Sequence, residues 1–261
     1  VAMTGDGVND APALKRSDIG VAMGIIGTDV ARESSEMILA DDNFSSIVNA
    51  IEEGRTVFRN VRRTSFYLIT TNVAEDITII GGLALGLPLP LLPIQLLYLN
   101  LVTDGINALP LAMEPSHSDI LNRKPRDRKE KILNKSLIPL LLIIAGLMAF
   151  STIPVFNYFL PGGLDKARTA AFVSISMFQL FNVFNMRSLK YSLFKVGLFS
   201  NKWVLYAITI SLLLMIGIVY LPWISEIFQF VPLSFKEFFV ISLISSSVFV
   251  VGEIYKKVRY R

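Results

Sequence analysis

From Ser65 onward the chain is dominated by six long apolar runs, at approximately 65–87, 91–110, 137–159, 169–187, 203–222 and 237–255. Each is near the ~20 residues that a helix needs to cross a ~30 Å hydrocarbon core. Soluble proteins seldom bury helices this long and this apolar, so six in series predict a membrane all-α bundle of six transmembrane helices. Composition agrees: 52% of the 261 residues are hydrophobic and 18% charged, against roughly 45–50% and ~25% in soluble domains. The absence of cysteine excludes a disulfide framework and a thiol nucleophile. The one histidine, His117, cannot by itself build a His-rich metal site.

Basic residues set the expected orientation. Arg55, Arg59, Arg62 and Arg63 precede the first run; Arg123, Lys124, Arg126, Arg128, Lys129, Lys131 and Lys135 follow the second. Arg187, Lys190, Lys195 and Lys202 follow the fourth, and Lys256, Lys257, Arg259 and Arg261 end the chain. These nineteen face one side of the membrane, against Lys166, Arg168 and Lys236 on the other. The positive-inside rule predicts an integral membrane protein with both ends of this chain cytoplasmic, in a cell or organelle membrane. It also accounts for the net charge of +4 without nucleic acid as a partner.

Residues 1–43 are more polar. A short apolar run ends in Gly5-Asp6-Gly7-Val8-Asn9-Asp10-Ala11-Pro12. Glycines permit a tight turn after a strand, Pro12 suits the first turn of a helix, and Asp6 can offer a hard oxygen to Mg²⁺. Asp18 to Gly24 reads as a second strand, and Thr28 or Asp29 as the cap of a helix through Met37. Strand, glycine turn, helix and strand describe half of a doubly wound α/β domain. Taken alone, GDG is equally a plain turn with solvated carboxylates; the acidic spacing does not fit an EF-hand. Asp42 or Asn43 can cap a further helix, and no proline interrupts Phe44 to Leu87. That predicts a cytoplasmic stalk helix over 44–64 running into a membrane domain over 65–261; a capped surface helix followed by a separate span is the alternative.

Charge at bilayer depth is costly, by ~2.5–3.5 kcal/mol or more, and marks function. The first run holds Asn72, Glu75 and Asp76, the second Asn100, Thr103, Asp104 and Asn107, the fourth Gln179, Asn182 and Asn185. Asn72 and Glu75 share a helix face, as do Asn100, Thr103 and Asp104. Counted from each run's start, these sets and Gln179 fall at similar, near-midplane depth. Carboxylate, amide and hydroxyl oxygens suit a hard cation. Gly105 and Pro110 can loosen the second helix and free carbonyl groups beside Asp104. Helix gluing by hydrogen bonds is the alternative for the amides and Thr103.

The string TGDGVNDAPALK resembles the signature of P-type ATPases. The resemblance continues through SEMILADDNFSSIVNAIEEGR and NLVTDG, most closely to calcium-transporting type II pumps. It implies that residues 1–43 are the C-terminal part of a haloacid-dehalogenase-like phosphorylation domain. It further implies that Asp6 helps hold Mg²⁺, that Asn9 and Asp10 position the phosphoryl group, and that Asn72, Glu75, Asn100, Thr103 and Asp104 ligate the transported cation. ATP is the substrate of the full-length pump and Ca²⁺ the expected cargo. The family's phosphorylated Asp lies in a DKTG motif, which does not occur here. The actuator, the nucleotide domain and the first four spans are then the partners this chain lacks, beside the lipid bilayer.

Two departures stand out. Gln179 takes the place of a Glu found in two-site calcium pumps, so a second site lacks its charge. Asp76 stands where those pumps are apolar. A sodium or potassium type II pump, a haloacid-dehalogenase-type phosphatase and a non-catalytic remnant of a split pump are the alternative readings.

Overall fold

A computed structural model of the protein describes residues 1–116, 120–122, 124, 125, 127 and 130–260. His117, Arg261 and the loop residues Arg123, Arg126, Arg128 and Lys129 lie outside the described residues. The chain divides into two compact units, Val1–Thr56 with the stretch around Ile120, and the remainder from Val57.

In the first unit, β1 (Ala2–Gly5), β2 (Ile19–Met23) and β3 (Met37–Leu39) form a parallel sheet in that order, with Ala2 beside Ile19 and Val21 beside Met37. Helices α1 (Ala11–Arg16) and α2 (Asp29–Glu33) make the crossovers that parallel strands require. Leu14, Ala22 and Ala31 are the buried centre. The Thr28 hydroxyl accepts from the Ala31 N–H and caps α2.

The helix expected through Met37 ends at Glu33, and Met37–Leu39 is a strand instead. The reason is non-local: β2 offers an open edge, and residues 37–39 pair with it. The Glu36 carboxylate accepts from the Gly20 N–H at 2.6 Å and fixes the turn between them.

Asp41 to Asn43 divide the capping work. Asn43 Oδ1 accepts from the Ser45 N–H at 2.9 Å and caps the next helix. The Asp42 carboxylate instead accepts from the N–H groups of Gly24, Ile25 and Ile26 at 2.6, 3.0 and 2.9 Å. Those amides, that of Ile25 foremost, hold its pKa below the usual aspartate value.

Helix α3 (Phe44–Ala84) is one unbroken helix of 41 residues, about 60 Å long. The alternative of two separate helices is thereby excluded. In the second unit follow α4 (Pro93–Tyr98), a π-helical segment (Leu99–Asp104) and α5 (Gly105–Ala112). Then come α6 (Ile138–Phe159), α7 (Leu164–Met186), the short α8 (Leu193–Val196), α9 (Lys202–Tyr220), α10 (Pro222–Phe228) and α11 (Phe235–Arg259).

Among the described residues, four helical stretches are long and apolar enough to cross a membrane, Lys135–Gly162, Leu164–Met186, Lys202–Tyr220 and Phe235–Arg259. They carry the last four of the six expected spans. The first expected span is diluted by Asn72, Glu75 and Asp76 and fused to the polar start of α3. The second is divided by the π segment.

α7 lies at the centre, buried almost continuously from Thr169 to Met186, and packs against α6, α9 and α11. Small side chains admit its neighbours: a methyl group built at Gly252 of α11 would lie 2.3 Å from Asn185 Oδ1. Lys166 of α7 donates to Glu237 of α11 at 2.6 Å. The outward faces of α6, α9 and α11 carry exposed Leu, Ile, Val and Phe, as lipid contact requires.

Candidate functional site

Two clusters contain residues singled out in the sequence. The first lies at the C-terminal end of β1. Asp10, at the start of α1, folds its carboxylate back onto the preceding loop, where Oδ2 accepts from the N–H groups of Asp6 and Gly7, each at 3.0 Å. Those amides, Gly7 first, keep the Asp10 pKa below the usual aspartate value. Gly5 makes the turn possible, because a Cβ there would meet the Asp10 Cβ at 2.5 Å. The Thr28 N–H donates to the Asp6 carbonyl at 2.8 Å. Asp6 and Asn9 are exposed.

The loop thus presents the Asp6 carboxylate at the end of a parallel strand, where doubly wound sheets bind ligands. A hard oxygen in that place fits Mg²⁺ as one ligand. Among the described residues, no group of three or more His, Cys, Asp or Glu is gathered for a metal.

The second cluster lies within the second unit, where α3, the π segment and α7 meet. Glu75 of α3 is 3% exposed and Asp104 of the π segment 1%. They lie within electrostatic reach of each other. Gln179 of α7 donates from Nε2 to Glu75 Oε1 at 2.8 Å, and Asn100 donates from Nδ2 to Glu75 Oε2 at 3.2 Å. The Thr71 hydroxyl donates to Asp104 Oδ2 at 2.6 Å. Three segments distant in sequence therefore place their polar groups around two carboxylates.

Thr103 Oγ1, Asp104 Oδ1, Asn107 Oδ1 and Gln179 Oε1 make no close hydrogen bond, and neither does the buried Tyr67 hydroxyl, which lies beside Asp104 and is its nearest candidate donor. A buried polar atom without a partner costs about 1–3 kcal/mol. Asp104 closes a π segment, a distortion that recurs at functional sites.

Not every expected residue joins the cluster. Asn72 is exposed and turns its amide onto its own helix, donating to the Leu68 carbonyl at 2.6 Å. Asp76 is exposed. Asn100 is exposed yet reaches Glu75. Gln179, expected to mark a lost site, is fully buried on Glu75.

Sequence reasoning passed over three contributors. Thr71 precedes Glu75 by one helical turn, and that spacing was the available signal. Tyr67, also on α3, is fully buried beside Asp104, because α3 continues past it and other helices cover it. Ser211 of α9 accepts from Asn107 at 3.0 Å, a pairing that no spacing reveals.

Residues 88–258 match the family described as "Cation transporting ATPase, C-terminus". The chain is 39% identical over 273 residues to "Calcium-transporting ATPase 1" of Bacillus cereus, covering 98% of this chain and 31% of that protein. It is 43% identical over 240 residues to "Calcium-transporting ATPase" of Bacillus subtilis, covering 90% and 26%. It is 39% identical over 259 residues to "Calcium-transporting ATPase type 2C member 2" of Rattus norvegicus, covering 98% and 27%. The chain spans about three-tenths of the length of these relatives or less. A helical unit with membrane-length apolar helices and a match over its greater part lead to one conclusion: the chain belongs to the cation-transporting ATPases and corresponds to their C-terminal region.

Proposed function

We propose that this chain is the C-terminal part of an ATP-driven pump that moves Ca²⁺ out of the cytoplasm and cycles through an aspartyl phosphate. The reading rests on one observation above all: Glu75 and Asp104, both buried where α3, the π segment and α7 meet, share one polar cluster with Gln179, Asn100 and Thr71. The calcium-transporting ATPases among the relatives favour Ca²⁺ as cargo.

In this reading six spans cross the membrane, the first being the end of α3 and the second the run from Pro93 to Ala112. Glu75, Asn100, Thr103 and Asp104 ligate the ion. Gln179 orients Glu75 through its amide and leaves its own oxygen available. The π segment supplies the slack through which Asp104 adjusts to the ion. Asn72 and Asp76, one helical turn apart on the exposed side of α3, face the further helices of the longer protein.

In the first unit, Asp10 holds the GDG turn in shape, Asp6 presents its carboxylate, and Asn9 faces the phosphoryl group. When bound, Mg²⁺ supplies positive charge beside that group. Phosphoryl transfer depends on such charge and on positioning more than on covalent help. The phosphorylated Asp belongs to the part of the pump outside this chain. The continuous α3 then links phosphate chemistry to ion binding.

The test is phosphoenzyme formation by the full-length protein at graded Ca²⁺, Na⁺ and K⁺. Half-saturation by Ca²⁺ at ~10⁻⁷–10⁻⁵ M, the range of cytosolic calcium sites, supports the proposal. Stimulation by Na⁺ without response to Ca²⁺ transfers it to the sodium class, and no phosphoenzyme under any condition favours a non-catalytic remnant.

A further inference from the structure

The three helices that carry the cation cluster meet a second time, at a buried ion pair. Glu114, just beyond α5, is 1% exposed, and Arg187, at the end of α7, is 0% exposed. The guanidinium donates from Nη2 to Glu114 Oε1 at 2.8 Å and from Nε to both carboxylate oxygens at 3.2 Å. Its other N–H groups reach the Gly197 and Leu198 carbonyls at 2.9 and 2.8 Å and the Ser200 hydroxyl at 2.5 Å. Asn201, the cap of α9, donates to Glu114 Oε2 at 2.8 Å and to the Pro110 carbonyl at 3.0 Å.

α3 enters through Asn60, whose Nδ2 donates to the Ala112 carbonyl at 3.1 Å and the Glu114 carbonyl at 2.8 Å. Arg63 donates to Asn60 Oδ1 at 2.8 Å and so fixes which way that amide points.

A charge pair taken wholly out of water is a poor source of stability by itself, because desolvation offsets the attraction. What such a pair does well is fix geometry: the guanidinium fork and the carboxylate accept one arrangement. Here it fixes the end of α5 relative to α3 and α7. Those are the helices that deliver Asp104, Glu75 and Gln179.

We infer that the Glu114–Arg187 pair, with Asn60 and Asn201, is positioning machinery for the cation site, setting the register of its three helices from one end. This inference rests on the pump reading. With the end of α5 pinned, adjustment around the ion is confined to the π segment. The four residues touch no cargo; they act through Asp104, Glu75 and Gln179.

The experiment uses the full-length pump in proteoliposomes and the cation that stimulates its phosphorylation. Half-saturating cation concentration, ions moved per ATP and thermal midpoint are measured for Asn60→Ala, Glu114→Asp, Arg187→Lys and the double variant Glu114→Gln/Arg187→Gln. Asn60→Ala and Glu114→Asp are expected to raise the half-saturating concentration about three- to tenfold, with maximal phosphorylation retained. The double variant, which leaves no unpaired charge, is expected to recover the thermal midpoint lost in Arg187→Lys but not the affinity. A purely structural role predicts the reverse: lower thermal midpoints with wild-type half-saturation in every assembled variant, which overturns the inference. If the charged-pair variants do not assemble, Asn60→Ala decides, since it leaves the Glu114–Arg187 pair intact. Wild-type protein that no cation stimulates overturns the pump reading and this inference together; a stimulated wild type with unchanged Asn60→Ala overturns this inference alone.

Discussion

Asp104 carries the sharpest expectation. One of its oxygens is held by the Thr71 hydroxyl, and the buried Tyr67 hydroxyl lies beside it. Asp104→Asn keeps the shape, removes the charge and adds a donor where the ion needs an acceptor. Cation-stimulated phosphorylation should fall at least about tenfold, a loss of ~1.4 kcal/mol of ion binding or more, read as phosphoenzyme level against cation concentration. Gln179→Ala leaves Glu75 Oε1 without its donor and should weaken apparent cation affinity by about 1–3 kcal/mol, the cost of an unsatisfied buried group. Unchanged affinity would remove Gln179 from the site. In the first unit, Asp42 has a lowered pKa because it accepts from backbone amides. A lowered folded value means that its contribution is complete above the ordinary aspartate pKa of about 4 and is lost as the pH falls through the lowered value. Hydrogen exchange at the Gly24, Ile25 and Ile26 amides should therefore show constant protection near neutrality and losing protection only below about pH 4. That Glu75 and Asp104 come together was legible from sequence because charge within an apolar run has few bland explanations, whereas Asp76, singled out on the same ground, lies exposed. Thr71, Ser211 and the placement of Tyr67 were not legible, since a hydroxyl on an apolar helix carries no mark of what faces it.

Helices formed where the apolar runs stood, and α6, α9 and α11 begin and end within a few residues of expectation. Such runs are read easily because length and hydropathy alone decide them. β3 was read as helix because its strand state comes from pairing with β2, a contact outside any local window. The π segment was also illegible in detail: Gly105 and Pro110 announce a weak helix, but not which register of hydrogen bonds replaces it. The close contact of α7 and α11 gives a test at this scale. Gly252→Ala places a methyl group against the Asn185 amide, which bonds the Val248 carbonyl at 2.8 Å. Either that bond breaks or the helices part, at a cost of about 1–3 kcal/mol for overpacking. The thermal midpoint of the detergent-solubilised full-length protein should drop accordingly, and an unchanged midpoint would contradict the tight α7–α11 interface.

At the scale of the whole molecule, the chain combines a small three-stranded parallel α/β unit with a helical bundle that holds two buried carboxylates. Neither a soluble phosphatase nor an inert membrane anchor needs both. Membrane class and the broad family were legible from the apolar runs and the GDGVND and NLVTDG strings. The second knot of polar side chains was not, because Glu114 reads as one more solvated loop acid until Arg187 is seen against it. The central claim is that oxygens from α3, the π segment and α7 bind one hard cation. Equilibrium binding of radioactive Ca²⁺ to the full-length protein, compared with the Glu75→Gln and Asp104→Asn variants, tests it most directly. The account predicts saturable binding of one ion per molecule at ~10⁻⁷–10⁻⁵ M, lost in both variants. Wild-type stoichiometry and affinity in both would contradict it.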